Sequence, residues 1–145
     1  MFDINFTVDM LPTGKARPRV GKFGMYTPKK THDAEVVIAR EAAKHMGLMP
    51  PSTSNLVMMV SITFPIPASY RGAKRAMAES GQLLPGKKPD IDNVVKLAAD
   101  SLNGVVYVDD AQVCRLVAEK QYGQKAQLWI RVFDLVPDVC RTAPC

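Results

Sequence analysis

Asp90-Ile91-Asp92 sets two carboxylates two residues apart. In an extended segment such residues point the same way, so both can face one cation while Ile91 turns into the core. Lys96 lies four residues after Asp92, one helical turn along the same face. A third carboxylate comes from Asp109-Asp110, on a turn between two expected strands; adjacent residues there point to opposite sides, so one of the two reaches the same ion. Sites with few protein carboxylates suit magnesium, or manganese in its place, because these ions keep waters for exchange. An ion bridging carboxylates and a phosphate is the machinery of phosphodiester hydrolysis. Lys96 beside it would stabilise charge on the transferring phosphoryl group. Plainer readings stay open: Asp92 can cap a helix starting at Asn93, Lys96 can pair with Asp92 or Asp100, and Asp-Asp is a common turn pair.

The charge distribution favours the chemical reading. The chain has 145 residues, is 47% hydrophobic and 23% charged, and carries a net charge of +5. This excludes a disordered chain and a multidomain enzyme. From Leu11 to Lys30 lie Lys15, Arg17, Arg19, Lys22, Lys29 and Lys30 without an acid, whereas Asp90 to Asp110 holds five acids and one base. Carboxylates concentrated in a basic chain repel nucleic acid unless a cation neutralises them. The basic segment can release counterions on meeting phosphate, or can simply be a solvated loop. Arg71, Lys74, Arg75, Lys87 and Lys88 can extend the same candidate DNA-binding surface up to Asp90. Phe23 and Tyr26 can stack on exposed bases or anchor the loop to the core.

The elements that must position these groups are legible in the periodicity. Phe2, Ile4, Phe6, Val8 and Met10 alternate with polar residues as a first strand, and Leu56, Met58, Val60, Ile62 and Phe64 form a second. The basic segment has too many Gly and Pro for regular structure and reads as a long loop, or a hairpin around Gly21 to Gly24. Thr31 is placed to cap a helix with Asp33 and Glu35 in its first turn. Its apolar stripe is Ala34, Val37, Ile38, Ala42 and Met46, and Gly47 ends it. A short helix near Arg71 to Glu79 sits inside a mobile linker from Ala68 to Lys88. A further helix from Asn93 to Leu102 buries Val94, Leu97, Ala98 and Leu102 and stops at Asn103-Gly104. Val105 to Val108, Val113 to Lys120 and Gln127 to Leu135 complete the strands, with Trp129 a packing or dimer-contact residue.

These elements make one domain over 1–136, with a loosely ordered tail at 137–145. Cys114, Cys140 and Cys145 show no CxxC spacing and are expected as free thiols. No apolar run approaches the ~20 residues of a membrane span, and Asp3 is acidic where a signal peptide would be basic. The expected location is the cytoplasm.

Lys88-Pro89-Asp90-Ile91-Asp92-Asn93-Val94-Val95-Lys96, Asp100-Ser101-Leu102-Asn103-Gly104 and Val108-Asp109-Asp110-Ala111-Gln112-Val113 closely resemble the signature of the RusA family of Holliday-junction resolvases. Gly14-Lys15-Ala16-Arg17-Pro18-Arg19 and Tyr26-Thr27-Pro28-Lys29-Lys30 resemble that family's basic N-terminal segment, in its phage and prophage version. The resemblance implies a small mixed α/β (α+β) fold, with two main helices on a mixed sheet, forming a homodimer. It also implies binding of four-way DNA junctions and magnesium- or manganese-dependent nicking of opposing strands, in recombination, repair or phage DNA processing. Asp90, Asp92 and Asp110 match the catalytic carboxylates that hold the metal, and Lys96 matches the catalytic lysine. Asp109 belongs to the motif without an assigned role. The rivals are a catalytically silent DNA-binding or replication accessory module, and a nuclease for other branched DNA.

Overall fold

The computed structural model describes residues 1–136. The expected tail at 137–145, with Cys140 and Cys145, lies outside them. In chain order the elements are β1 (Asp3–Val8), β2 (Arg19–Gly21), β3 (Gly24–Tyr26), α1 (Lys29–Met46), β4 (Leu56–Pro65), α2 (Gly72–Ser80), α3 (Ile91–Ser101), β5 (Val113–Gly123) and β6 (Gln127–Asp134). A single 3-10 turn, Asp110–Gln112, precedes β5.

Four strands form a mixed sheet in the order β1-β6-β4-β5; β4 and β5 run parallel and the other neighbours antiparallel. Period-two patterning makes this sheet one-sided. Ile4, Phe6 and Val8, Met58, Val60 and Ile62, and Leu128, Ile130 and Val132 share one buried cluster with Ile38 and Ala42 of α1 and Leu97 and Ala98 of α3. Thus α1 and α3 pack against each other across one face, as a mixed sheet with two main helices requires. Trp129 lies on the other side of β6 and is half-buried.

Several local expectations are corrected. Thr31 does not cap α1: Pro28 is the capping residue, His32 N donates to Pro28 O at 3.1 Å, and no acid falls in the first turn. Buried Thr31 instead accepts from Ala16 N at 3.2 Å, so a tertiary contact takes the hydroxyl a cap would have used. Val37 points to solvent. Val105 to Val108 is no strand but a tight turn in which Val106 and Tyr107 are fully buried, joined to its surroundings by isolated bridges. A short apolar run buried under a helix has the same composition as a strand. Of the two readings of the basic segment, the hairpin around Gly21 to Gly24 forms, β2 pairing with β3, and the stretch before it is loop.

Candidate active site

The Asp90 to Asp92 segment is not extended. Asp90 is the capping residue of α3 at φ −68° and ψ 145°, and Ile91 and Asp92 are already helical. Ile91 is therefore 37% exposed rather than in the core, and the two carboxylates straddle the helix start. Asp90 does not cap with its side chain; Lys88 Nζ donates to its Oδ2 at 2.6 Å. Asp92 sits in the first turn, where the positive end of the helix dipole favours an anion, and its Oδ1 accepts from Asn93 N at 2.9 Å.

One turn along α3, Lys96 is 3.2 Å from Asp100 Oδ1 and 3.9 Å from Asp110 Oδ2. Asp110 reaches this place through the loop that follows α3. Gly104, at φ +75°, reverses the chain, and the buried Tyr107 hydroxyl donates to Ala99 O at 2.7 Å. Asp110 N then donates to Asn103 Oδ1 at 2.8 Å. The Asp109 carboxylate accepts from Ala111 N at 2.9 Å, while Gln112 Oε1 accepts from Asp109 N at 3.0 Å, a reciprocal cap on the 3-10 turn. Gln112 Nε2 also donates to Ser52 O and Ser54 O, each at 2.9 Å, pinning the turn to the chain ahead of β4. Asp109 thus builds the turn that presents Asp110.

The electrostatics separate the acids. Burial, the adjoining Asp109 carboxyl and the negative charge of Asp100 raise Asp110 above the usual carboxylate range, with Lys96 opposing. The Ala111 N–H and the contact with Asp110 lower Asp109. Burial raises Asp100, but its bonds to Lys15 and Lys96 outweigh that and hold it below its ordinary value. Asp110 is therefore raised first by burial and then by its acidic neighbours, with Lys96 the one opposing charge.

The structure gives Lys15 another task. Its ammonium pairs with Glu35 and with Asp100, the latter at 2.9 Å, tying the basic segment to α1 and α3. Burial disfavours the charge on Lys15, yet these two acids raise its proton affinity overall. Lys15 N also donates to Asn93 O at 3.0 Å. Gly14 permits this approach, because a Cβ there would lie 3.1 Å from Asn93 Cβ.

Arg17, Arg19, Lys22, Lys29 and Lys30 are exposed, as are Arg71, Lys74, Arg75, Lys87 and Lys88. Arg75 pairs with Glu79 at 3.0 Å, and Lys74 lies over the Tyr70 ring at 4.1 Å. Phe23 is 97% and Tyr26 50% exposed, so neither anchors the hairpin to the core. Two open clefts meet at Lys88 and Asp90. One, of about 510 Å³, includes Arg19 and Lys30. The other, of about 740 Å³, includes Asp92, Ile91, Lys87 and Lys120. Sequence reasoning missed Lys120 as anything but a strand residue, and took Asn103 only for a helix stop.

A one-sided mixed sheet bearing aspartates and a lysine at one helix and the neighbouring turn, rimmed by cations, is a mixed α/β scaffold with an acidic site set among bases. The model of the family described as "Endodeoxyribonuclease RusA" matches residues 9–133, and the chain belongs to that family. It is also 34% identical over 140 residues to the "Uncharacterized protein YqaN" of Bacillus subtilis (strain 168), an alignment covering 91% of this chain and 96% of that protein. Among the described residues no helix is long and apolar enough to cross a membrane.

Proposed function

We propose that this chain is a divalent-metal-dependent, structure-selective endodeoxyribonuclease that resolves four-way DNA junctions by paired nicks in opposing strands. The observation that carries the reading is the seating of Asp110 beside Lys96 on α3, one turn from Asp92, inside a basic rim.

The donor set fits a hard cation. Asp90, Asp92 and Asp110 offer only carboxylate oxygens, the ligand type such an ion takes. Among the described residues no three His, Cys, Asp or Glu side chains are already gathered around one point. Magnesium is commonly held by one or two carboxylates plus substrate phosphate and water, so the three aspartates need not all meet at one point before it binds. Bound magnesium, or manganese in its place, would supply Lewis-acid activation of water and neutralise phosphate charge.

The chain's own residues do the rest. Asp90, Asp92 and Asp110 are the carboxylates that would hold the ion. Lys96 stabilises charge developing on the phosphoryl group. Arg17, Arg19, Lys22, Lys29 and Lys30, with Arg71, Lys74, Arg75, Lys87 and Lys88, grip phosphates without reading sequence. Lys15 braces this surface from within. Phe23 and Tyr26 are placed to stack on unpaired bases. A homodimer would present two such sites to opposite strands.

The test is incubation of purified protein with a synthetic four-way junction in magnesium and in EDTA. The reading expects symmetric nicks in magnesium, none in EDTA, and an intact linear duplex. Binding without cutting in either condition would instead make the chain a silent DNA-binding module.

A further inference from the structure

Lys120 pairs with Ile62 in the β4–β5 register, on the same side of β5 as Ala118 and Tyr122, which pack against the core. A cation on the core-facing side of a strand is costly unless its charge is used. Its ammonium donates to Lys87 O at 2.5 Å and Pro89 O at 3.1 Å, and stands 5.3 Å from the centre of the Phe64 ring. Those carbonyls belong to the turn that delivers Asp90. Lys120 also lines the cleft that holds Asp90 and Asp92.

Its charge balance differs from that of the three lysines near the site that are paired with acids. Lys96 is shared between Asp100 and Asp110, Lys15 between Glu35 and Asp100, and Lys88 is bound to Asp90. Among the described residues no carboxylate pairs with Lys120. An ammonium has three donors, and two carbonyls occupy two of them. The result is a partly buried cation held by two carbonyls, whose third N–H meets no acceptor among the described residues, at a cleft whose acids need a positively charged neighbour when a phosphate enters.

We propose that Lys120 is a second phosphate-binding cation of the site, donating its third N–H to a non-bridging oxygen of the phosphate being cleaved. This rests on the nuclease reading and adds a catalytic residue to it.

The test compares Lys120→Gln, which keeps an N–H donor for the turn carbonyls but loses the charge, with Lys120→Met, which loses both. The proposal expects single-turnover cleavage of a four-way junction at saturating protein to fall ~100-fold in Lys120→Gln, with an unchanged melting temperature. Wild-type rates in Lys120→Gln would overturn it, whether Lys120→Met is slow, which would leave only a bracing role, or not. A second readout needs no cleavage. In EDTA, the ¹⁵N-lysine ammonium signal of Lys120, assigned with Lys120→Arg, should move when the junction is added; a stationary signal would overturn the proposal. If the wild type cuts nothing while that signal moves, the nuclease reading falls and the phosphate contact stands. If Asp92→Asn is inactive while Lys120→Gln cuts normally, the reverse holds.

Discussion

Lys96 Nζ lies 3.9 Å from Asp110 Oδ2, joining the middle of α3 to the turn that opens β5. The two residues meet because the loop between them is fastened at both ends: Tyr107 is pegged to Ala99 O, and Asn103 and Gln112 hold the turn. The position of the third carboxylate is therefore a property of the loop as much as of the aspartate.

Replacing Asn103 by Ala removes the acceptor for Asp110 N. Loss of one exposed hydrogen bond costs about 1 kcal/mol of stability, but a misplaced carboxylate can cost up to ~100-fold in rate. Single-turnover cleavage should fall while junction affinity stays the same. Unchanged rates would show that the turn holds Asp110 without Asn103.

Asp109→Asn keeps an oxygen to accept from Ala111 N and removes a negative neighbour of Asp110. The Asp110 carboxyl, raised in the native protein, should then titrate at lower pH. Carboxyl NMR titration of the metal-free protein measures this directly. A midpoint that stays or rises would contradict the assignment of Asp109 as the opposing charge.

Much of this organisation is legible in the sequence. The alternation in β1, β4 and β6 is clear because one face packs on helices and the other does not, and the stripe of α3 is clear because Val94, Leu97 and Ala98 all reach the core. The acidic triplet is legible in composition, but its geometry is not. Asp90-Ile91-Asp92 reads equally well as strand or helix start, and the helix wins, which turns Ile91 outward. Thr31 was a sound cap by type, yet Ala16 N took its hydroxyl. Lys15 and Lys120 were opaque for a common reason: their partners come from distant segments, and no local pattern records a contact between Lys15 and Asp100 or between Lys120 and Pro89.

Lys15→Met should strand Glu35 as an unpaired, partly buried acid, leave Asp100 with Lys96 alone, and destabilise the fold by about 1–3 kcal/mol. Asp100 is held below its ordinary value, so its contribution is present above the unfolded carboxylate range and is lost as pH falls through the lower native value. Lys15 is raised, so its contribution is lost only when pH climbs through the lysine range. The melting-temperature gap between wild type and Lys15→Met should be steady near neutrality and close below about pH 4. A gap that persists in acid would show that the pair acts through packing alone.

Arg17 and Arg19 are exposed and Lys15 is not free, so the two sets should part in DNA binding. Replacing Arg17 and Arg19 with Ala should weaken junction binding and flatten the slope of log affinity against log salt by about one unit per lost phosphate contact. An unchanged slope would take the loop off the DNA.

The central claim is that Asp92 and its neighbours cut DNA by way of a bound divalent ion. Asp92→Asn keeps size and removes charge, so the decisive measurement is nicking of a four-way junction by this variant in magnesium, with binding followed in parallel. The account predicts abolished cleavage with junction affinity equal to or tighter than wild type. Full nicking by Asp92→Asn would contradict it.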